Sequence, residues 1–476
     1  MLVSGPLVEL PSRASVARAV LALEQRLGAS RVDTSEAGRE AHARDDSAAV
    51  GRVPDAVVVA ETSEHIAATL EICETHGVPV TPRAAGTGRT GGAVPVAGGV
   101  VLSTSKLQRI VAIDRTDLLA VVQPGVITAD LHAAVENEGL FYPPDPSSLW
   151  SCTLGGNVAE NAGGPRAFKY GVTRDYVLGL EACLMGGRRL RTGRRTVKGV
   201  TGYDVTSLLV GSEGTLGVFS EITLRLVHAP TAVATVLAVY PDAKCATRAV
   251  ERIVAEGLVP RCLELLDAST LEAIRAENVS LDVRAGGMLL VEVDGREAPL
   301  EPTLERLGEA LARDGTSLDI VAAQDASQRD RLWAARRKLS LATRRLSRFK
   351  LSEDIVVPRS QLTRLLEETE RSCARERVRH LVYGHAGDGN LHVNFLWDDE
   401  GERPSVDRAI ESLMQTTVAL GGTLSGEHGI GVTKAAYMPM EQTEDLLQLQ
   451  RDLKRTFDPR GLLNPGKIFP TGHAGC

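Results

Sequence analysis

The sequence predicts an α+β protein of more than one domain, and three observations predict it. The chain has 476 residues, enough for two or three domains with cores of their own. Its first half carries short strand-like runs separated by glycine-dense loops. From 234 to 330, strand-like and helix-like segments alternate, as in ATVLAVY before DAKCATRAVERIVAEG and GMLLVEVDG before APLEPTLERLGEALARDG.

The elements follow in order. RASVARAVLALEQRLG (13–28) reads as an amphipathic helix stopped by Gly28. DAVVVAE (55–61) is a strand, and TSEHIAATLEICETHG (62–77) is a helix with Thr62 or Ser63 as N-cap and Gly77 as stop. VPVTPRAAGTGRTGGA (78–93) is a strand running into a glycine-rich loop. Short strands broken by Gly and Asn continue to about 226, and the composition changes near His228-Ala229-Pro230. A charged helix (325–348), a hairpin around GHAGDGNLHVN (384–394) and a C-terminal helix (441–457) complete the chain.

Composition excludes several classes of function. A net charge of −7 argues against a nucleic-acid binder. No apolar run reaches transmembrane length. The N-terminus lacks the basic-then-apolar order of a secretory signal. The seven cysteines form no CxxC pair, so neither a zinc ribbon nor a cysteine-ligated iron–sulfur cluster is expected. An odd number of scattered cysteines fits a reducing compartment. A cytoplasmic location is expected, with peripheral attachment to a membrane as the alternative.

GTGRTG (86–91) matches GxGxxG, but a dinucleotide fingerprint must open a helix directly. Here GAVPVAGG follows, and Pro95 with its neighbouring glycines forbids that helix. No GK[ST] follows either, which excludes a Walker A loop. What remains is backbone able to fold into an anion-cradling nest beside the hydroxyls of Thr87 and Thr90, or a plain turn-rich connection. Two further small-residue segments decide between them: SCTLGGNVAENAGGP (151–165) and VTGYDVTSLLVGSEGTLGVFSEITLRL (200–226). Glycine loses the most entropy on ordering, so three such segments make sense where backbone must approach a large, flat, phosphorylated ligand. FAD fits that description.

The hairpin raises a second possibility. A four-residue loop over Gly387–Asn390 places Ala386 opposite Leu391 and His385 opposite His392. Opposed residues share a face with Cβ atoms about 4.5–5.5 Å apart, so both imidazoles can reach one metal ion. Two satisfied histidines in a polar hairpin fit the same pattern, and only a third ligand decides between them.

In order, PRAAGTGRTGGA, SCTLGGNVAENAGGP and TGYDVTSLLVGSEGTLGV resemble the FAD-binding domain of the vanillyl-alcohol-oxidase/PCMH flavoproteins. LWAARRKLSLA, DIVVPRSQL, GHAGDGNLHVN, SGEHGIGVTK and FDPRGLLNPGKIFP narrow this to a resemblance to the FAD-linked D-2-hydroxyacid dehydrogenases, the group of glycolate oxidase flavoprotein subunits and D-lactate dehydrogenases. The resemblance covers roughly residues 40 to 470. It implies an N-terminal helical segment (1–48) and an FAD-binding domain of two α+β subdomains (49–229). It also implies an α+β cap domain for substrate (230–420) and a C-terminal helical segment (421–476) that returns to the flavin.

The resemblance assigns residues as well. Cofactor contacts are expected from Pro82, Ala84, Ala85, Gly86, Thr87, Gly88, Thr90 and Gly91, from Pro146, Thr153, Gly155, Gly156, Asn157, Ala159, Asn161 and Gly163, from Gly214, Gly217 and Val218, and from Asn464. His385, His392 and Glu427 are the implied ligands of a divalent metal (Zn, Mn or Fe), and His428 is the implied base. Arg336 matches a substrate-side arginine, although Arg337, Lys338, Arg344 and Arg345 crowd the same segment. Asn394 lies two residues beyond His392, on the same strand face, within reach of substrate.

This sequence departs from the family in two places. Ala84-Ala85-Gly86 replaces a run of three glycines, tolerable only if both alanines keep ordinary φ. The pyrophosphate loop has neither histidine nor cysteine, so FAD is expected to be non-covalent, with Cys152 the remote exception.

The implied reaction oxidises a glycolate- or D-lactate-type acid to the 2-oxoacid. D-2-hydroxyglutarate is the runner-up, although Ser352 stands where that family carries a lysine. The readings from other classes are the flavoprotein subunit of a larger electron-transfer complex and a non-redox alkyl-transfer synthase. The expected partners are a 2-hydroxyacid substrate and an electron acceptor: a quinone, an electron-transfer flavoprotein or a separate iron–sulfur subunit. A homodimer is compatible with the sequence.

Overall fold

The computed structural model describes residues 10–277, 281–295 and 300–470, without the side chains at 334, 335, 337, 338, 340–342 and 344. Residues 1–9 of the expected N-terminal segment and Cys476 lie outside it. The fold is α+β, in two compact units. One unit runs through Gly163, resumes over Val172–His228 and takes up the chain again from Glu427. The other comprises Gly164–Gly171 and Ala229–Gly426. Among the described residues, no helix is long and apolar enough to cross a membrane.

The first unit holds two main sheets. In the four-stranded sheet the order is Val32–Asp33, Ala56–Val59, Val100–Ser103, Val80–Arg83. The last three strands are parallel, and their Val- and Leu-rich runs are buried, as covered parallel strands require. Helices Arg13–Leu27 and Ser63–His76 bury Ala19, Leu23 and Leu27 with Ile66, Leu70 and Cys73 in the core beside that sheet. The second helix is bounded by Thr62, whose Oγ1 accepts from His65 N at 3.2 Å, and by left-handed Gly77. The five-stranded antiparallel sheet runs Ile110–Asp114, Leu119–Val122, Val218–Arg225, Val177–Cys183, Arg189–Gly193, over a core that includes Leu131, Tyr142, Phe219 and Ile222. The chain's last described turn comes back to the first sheet, where Leu463 bridges Val80 and Asn464 N donates to Val80 O at 2.7 Å.

No helix follows the first glycine loop, as Pro95 dictates. Gly86 takes φ +75°, whereas neither Ala84 nor Ala85 enters the left-handed region, so the two methyl groups cost no strain. The second segment is more ordered than a turn-rich stretch suggests. Leu154–Glu160 is a helix, with Leu154 and Val158 buried one turn apart and Asn161 closing it at φ +57°.

The second unit is built on a seven-stranded antiparallel sheet, in the order Asp319–Ala322, Ala232–Tyr240, Gly287–Gly295, Cys262–Asp267, Arg379–His385, Asn390–Trp397, Phe349–Val356. The expected hairpin is present, but its register differs by two residues. His385 pairs with Asn390, Gly384 with Leu391 and Tyr383 with His392. Gly389 is the cause. It sits at φ +85°, and a Cβ there would meet Val357 O at 2.0 Å, so it must be the last loop residue. Asn390 therefore begins the strand, and its amide donates to Asp354 Oδ1 at 2.7 Å and Ile355 O at 3.0 Å. A two-residue slip leaves every side chain on its original face. His385 and His392 are thus diagonal neighbours on one face, with ring centroids 5.3 Å apart and planes at 88°.

Candidate active site

The three glycine segments of the first unit converge on one cavity of about 1230 Å³, counting its open mouth. Pro82, Ala84, Ala85, Gly86, Thr87 and Gly88 line it from the first segment. Pro146, Thr153, Gly155, Gly156, Asn157, Ala159 and Gly163 line it from the second, and Gly214, Gly217 and Val218 from the third. Thr90, Gly91, Asn161 and Asn464 are not in the lining. They stand behind it: Asn464 Nδ2 donates to Gly92 O at 3.0 Å and Glu213 O at 2.7 Å, tying the first loop to the third, and Asn161 Oδ1 accepts from Arg174 N at 2.8 Å.

The walls fit a large ligand approached by backbone. A Cβ on Gly155 would meet Pro124 Cβ at 2.5 Å, and one on Gly156 would meet Ala84 Cβ at 3.2 Å, so the segments pack at distances only glycine permits. Thr153 Oγ1 lines the cavity, fully covered, and finds no hydrogen-bond partner among the described residues. Buried hydroxyls of that kind await a polar ligand atom. Cys152 also lines the cavity, with Sγ 3.3 Å from Thr128 Oγ1.

Glu427 and His428 complete the wall. Their loop is fixed from two sides. Thr90 Oγ1 donates to His428 O at 3.0 Å, and Thr90 O accepts from Val432 N at 2.8 Å and Thr433 N at 3.1 Å. The Glu213 carboxylate accepts from Ile430 N at 2.8 Å and Gly431 N at 2.7 Å. Gly429 and Gly431 take positive φ, which lets so short a loop turn toward both partners. Gly163 leaves room for the acid: a Cβ there would meet Glu427 Oε2 at 2.9 Å.

The histidine pair belongs to the other unit, which ends at Gly426, one residue before Glu427. His385 and His392 are both buried. Glu264, fully buried, binds His385 Nδ1 through Oε1 and accepts Arg336 Nε at 2.6 Å through Oε2. Burial raises the Glu264 pKa, but His385 and Arg336 more than reverse this and hold it well below the usual carboxylate range. Asp354 is the buried acid nearest His392. Its carboxylate lies 3.7 Å from His392 Nδ1 and accepts from Asn390 Nδ2, Ser425 Oγ at 3.1 Å and Gly426 N at 2.9 Å. The carboxylate bound to His385 Nδ1 leaves that ring's Nε2 for ligation, and a second imidazole shares its face, so the donor chemistry fits a metal. Arg336 stacks over Tyr383, 5.0 Å from its centroid. Asn394 is fully buried, and its Oδ1 finds no donor among the described residues. Lys350, close in sequence to Ser352, gives its ammonium to Thr343 Oγ1 at 2.8 Å.

A model of FAD linked oxidases, C-terminal domain, matches residues 229–468, and one of an FAD binding domain matches 54–193. The chain belongs to the FAD-linked oxidases. It binds FAD and is an oxidoreductase. Glycolate oxidase subunit GlcD of Bacillus subtilis (strain 168) is 41% identical over 452 residues, covering 94% of this chain and 96% of that one. D-lactate dehydrogenase of Anaerostipes hadrus is 35% identical over 436 residues, covering 89% and 91%. In fold, the chain is similar to 4-ethylphenol oxidase from Gulosibacter chungangensis, with a TM-score of 0.80 at 18% identity over 98% of this chain and 99% of that one. The vanillyl-alcohol-oxidase/PCMH architecture expected from the motifs is the architecture present.

Four residues of the site were not singled out in the sequence: Glu160, Glu213, Glu264 and Asp354. The first two had a signal, since each is a lone acid inside a stretch of small residues, NVAENAGG and GSEGTLG. Glu264, in the strand Cys262–Asp267, had one too, as an acid in an otherwise apolar run that the sheet buries. Asp354 lay within a quoted motif with nothing to set it apart from a surface charge.

Proposed function

We propose that this chain oxidises a small D-2-hydroxyacid, of glycolate or D-lactate type, to the corresponding 2-oxoacid. The observation that carries the reading is that Glu427 and His428 lie side by side in the wall of the FAD cavity. The names of the relatives in Bacillus subtilis and Anaerostipes hadrus support the substrate class.

FAD would supply the two-electron oxidant when bound, and His385, His392 and Glu427 would hold a divalent metal that would supply a Lewis acid. His428 takes the hydroxyl proton on a neutral imidazole nitrogen. Adjacent side chains leave the backbone in different directions, so His428 can face substrate while Glu427 is engaged as a ligand. Arg336 receives the substrate carboxylate on its guanidinium while Nε stays bound to Glu264. Asn394, on the same strand face as His392, is a further group placed to hydrogen-bond substrate. Ser352 brings no cation for a second carboxylate, which favours the short acids over 2-hydroxyglutarate. Electrons leave to an acceptor in another chain, in keeping with the relative's name as a subunit.

Anaerobic mixing of the purified flavoprotein with glycolate, D- and L-lactate and D-2-hydroxyglutarate tests the reading through the bleaching of flavin absorbance. Reduction by glycolate or D-lactate is expected. Failure of every acid to bleach a fully loaded, metal-replete protein would sink it.

A further inference from the structure

We propose that Glu160 is a second polar group directed at the flavin, donating a hydrogen bond to the isoalloxazine from a protonated carboxyl and so raising the reduction potential of bound FAD. Placing the isoalloxazine, rather than the phosphates, at this wall rests on the proposed roles of Glu427 and His428.

Glu160 closes the helix Leu154–Glu160 and lines the cofactor cavity. Its Oε2 is completely covered, with no hydrogen-bond partner among the described residues, so Oε1, beside the cavity-lining Gly88 and Gly92, is the oxygen that can meet a ligand. Its surroundings are unusual for an acid. A Cβ on Gly92 would meet Oε1 at 2.9 Å, so one oxygen lies against the first glycine loop. A Cβ on Gly429 would meet Glu160 Oε2 at 2.2 Å and Glu213 Oε1 at 3.0 Å. The two carboxyl groups therefore face each other across Gly429, the residue next to His428.

Two buried carboxyls so close do not both ionise. Glu213 has what an anion needs, namely the N–H groups of Ile430 and Gly431, with the Lys434 and Lys467 ammoniums in the same neighbourhood. Among the described residues Glu160 has no such donors, and the acids near it are Glu213 and Asp45. Burial and these two acids push its pKa well above the ordinary carboxylate range. The proton of the pair therefore belongs on Glu160. A neutral carboxylic acid in a cofactor wall is a hydrogen-bond donor, and a donor aimed at a ring that gains electron density on reduction stabilises the reduced form.

The test compares Glu160→Gln, which keeps a donor of similar shape, with Glu160→Leu, which keeps volume without a donor. For each FAD-loaded protein the midpoint potential is measured by dye equilibration, together with FAD affinity and the visible spectrum. The proposal expects Glu160→Gln to stay near the wild-type potential and Glu160→Leu to fall to a lower one with a shifted flavin band. Unchanged potential and spectrum in Glu160→Leu overturn it, and so do equal shifts in both variants. If Glu160→Leu fails to fold, a Glu160→Gln potential far from wild type overturns it, and one near wild type with unchanged FAD affinity supports it. None of these readings needs turnover, so an error in the assigned substrate leaves the test intact.

Discussion

His385 Nδ1 and Glu264 Oε1 share a hydrogen bond, and the other oxygen of that carboxylate holds Arg336. One buried anion thus orients two of the groups assigned to metal and substrate. Removing it takes a buried anion away from the Arg336 guanidinium and the His385 ring.

Glu264→Ala is therefore expected to cost about 3–5 kcal/mol of stability, the usual penalty for breaking a buried pair from one side. Glu264→Gln should fold better and still bind divalent metal about 10–100-fold more weakly than wild type, because the ring loses its orienting carboxylate. Metal content after dialysis against graded chelator measures this, alongside thermal unfolding. Wild-type metal retention in Glu264→Gln would detach Glu264 from the metal set.

His428→Ala should keep FAD and metal while substrate reduces the flavin about 10²–10⁴-fold more slowly. Only the reductive step involves the hydroxyl proton, so reoxidation should be untouched. Anaerobic stopped-flow separates the two steps. A variant reduced at the wild-type rate removes His428 from the mechanism.

Gly163→Ala tests the room left for Glu427. The new methyl would lie within 2.9 Å of Glu427 Oε2 and 3.3 Å of its Cβ, so the acid must move. The expected outcome is loss of bound metal with FAD retained, read by elemental analysis and flavin absorbance of the same sample. Loss of flavin with metal intact would show that Gly163 serves the cofactor instead.

Asp267 gives a pH signature. It caps the helix Ala268–Ala276 through Thr270 N at 2.8 Å and holds Val382 N at 2.9 Å, in the strand that carries His385. Burial pushes its carboxyl up to about 6 despite those donors. Below about 4 both folded and unfolded chains carry the proton, between about 4 and 6 only the folded chain keeps it, and above that neither does. The contribution is thus fully present below the unfolded value and lost as pH rises through about 6, a difference of about 3 kcal/mol. Asp267→Asn cannot titrate, so its stability relative to wild type should climb across that window. A gap that stays constant from pH 4 to 7 in paired denaturant titrations would refute this.

Flavin should leave the protein on denaturation. Cys152 is paired with Thr128 Oγ1, and the first glycine loop offers no nucleophile. Acid precipitation should release the yellow chromophore as FAD into the supernatant. Flavin retained in the pellet would make Cys152 the first attachment point to examine.

What was legible in the sequence divides along physical lines. Glycine segments declare themselves because only glycine allows such close packing, so the cavity walls could be read residue by residue. The hairpin was legible as a hairpin, but its register was not. Gly387, Asp388, Gly389 and Asn390 are all turn residues, and only the approach of Val357 O to Gly389 shows which of them ends the loop. Thr90, Asn161 and Asn464 were read as touching cofactor; they lie outside the cavity lining and hydrogen-bond the loops that form it, contacts to distant residues that leave no local pattern. Glu264 and Asp354 went unread for the same reason: each meets its histidine through pairing between strands far apart in sequence.

The anchoring of Asn464 also bears on how the protein is made. Its amide joins Gly92 O to Glu213 O, and Leu463 docks beside Val80, so a segment near the end of the chain fastens loops laid down hundreds of residues earlier. A nascent chain carries the glycine loops hundreds of residues before it carries this fastener. Cofactor loading is accordingly expected to wait for Asn464, and messages truncated before codon 464 should yield chains that hold FAD weakly and fall to proteolysis.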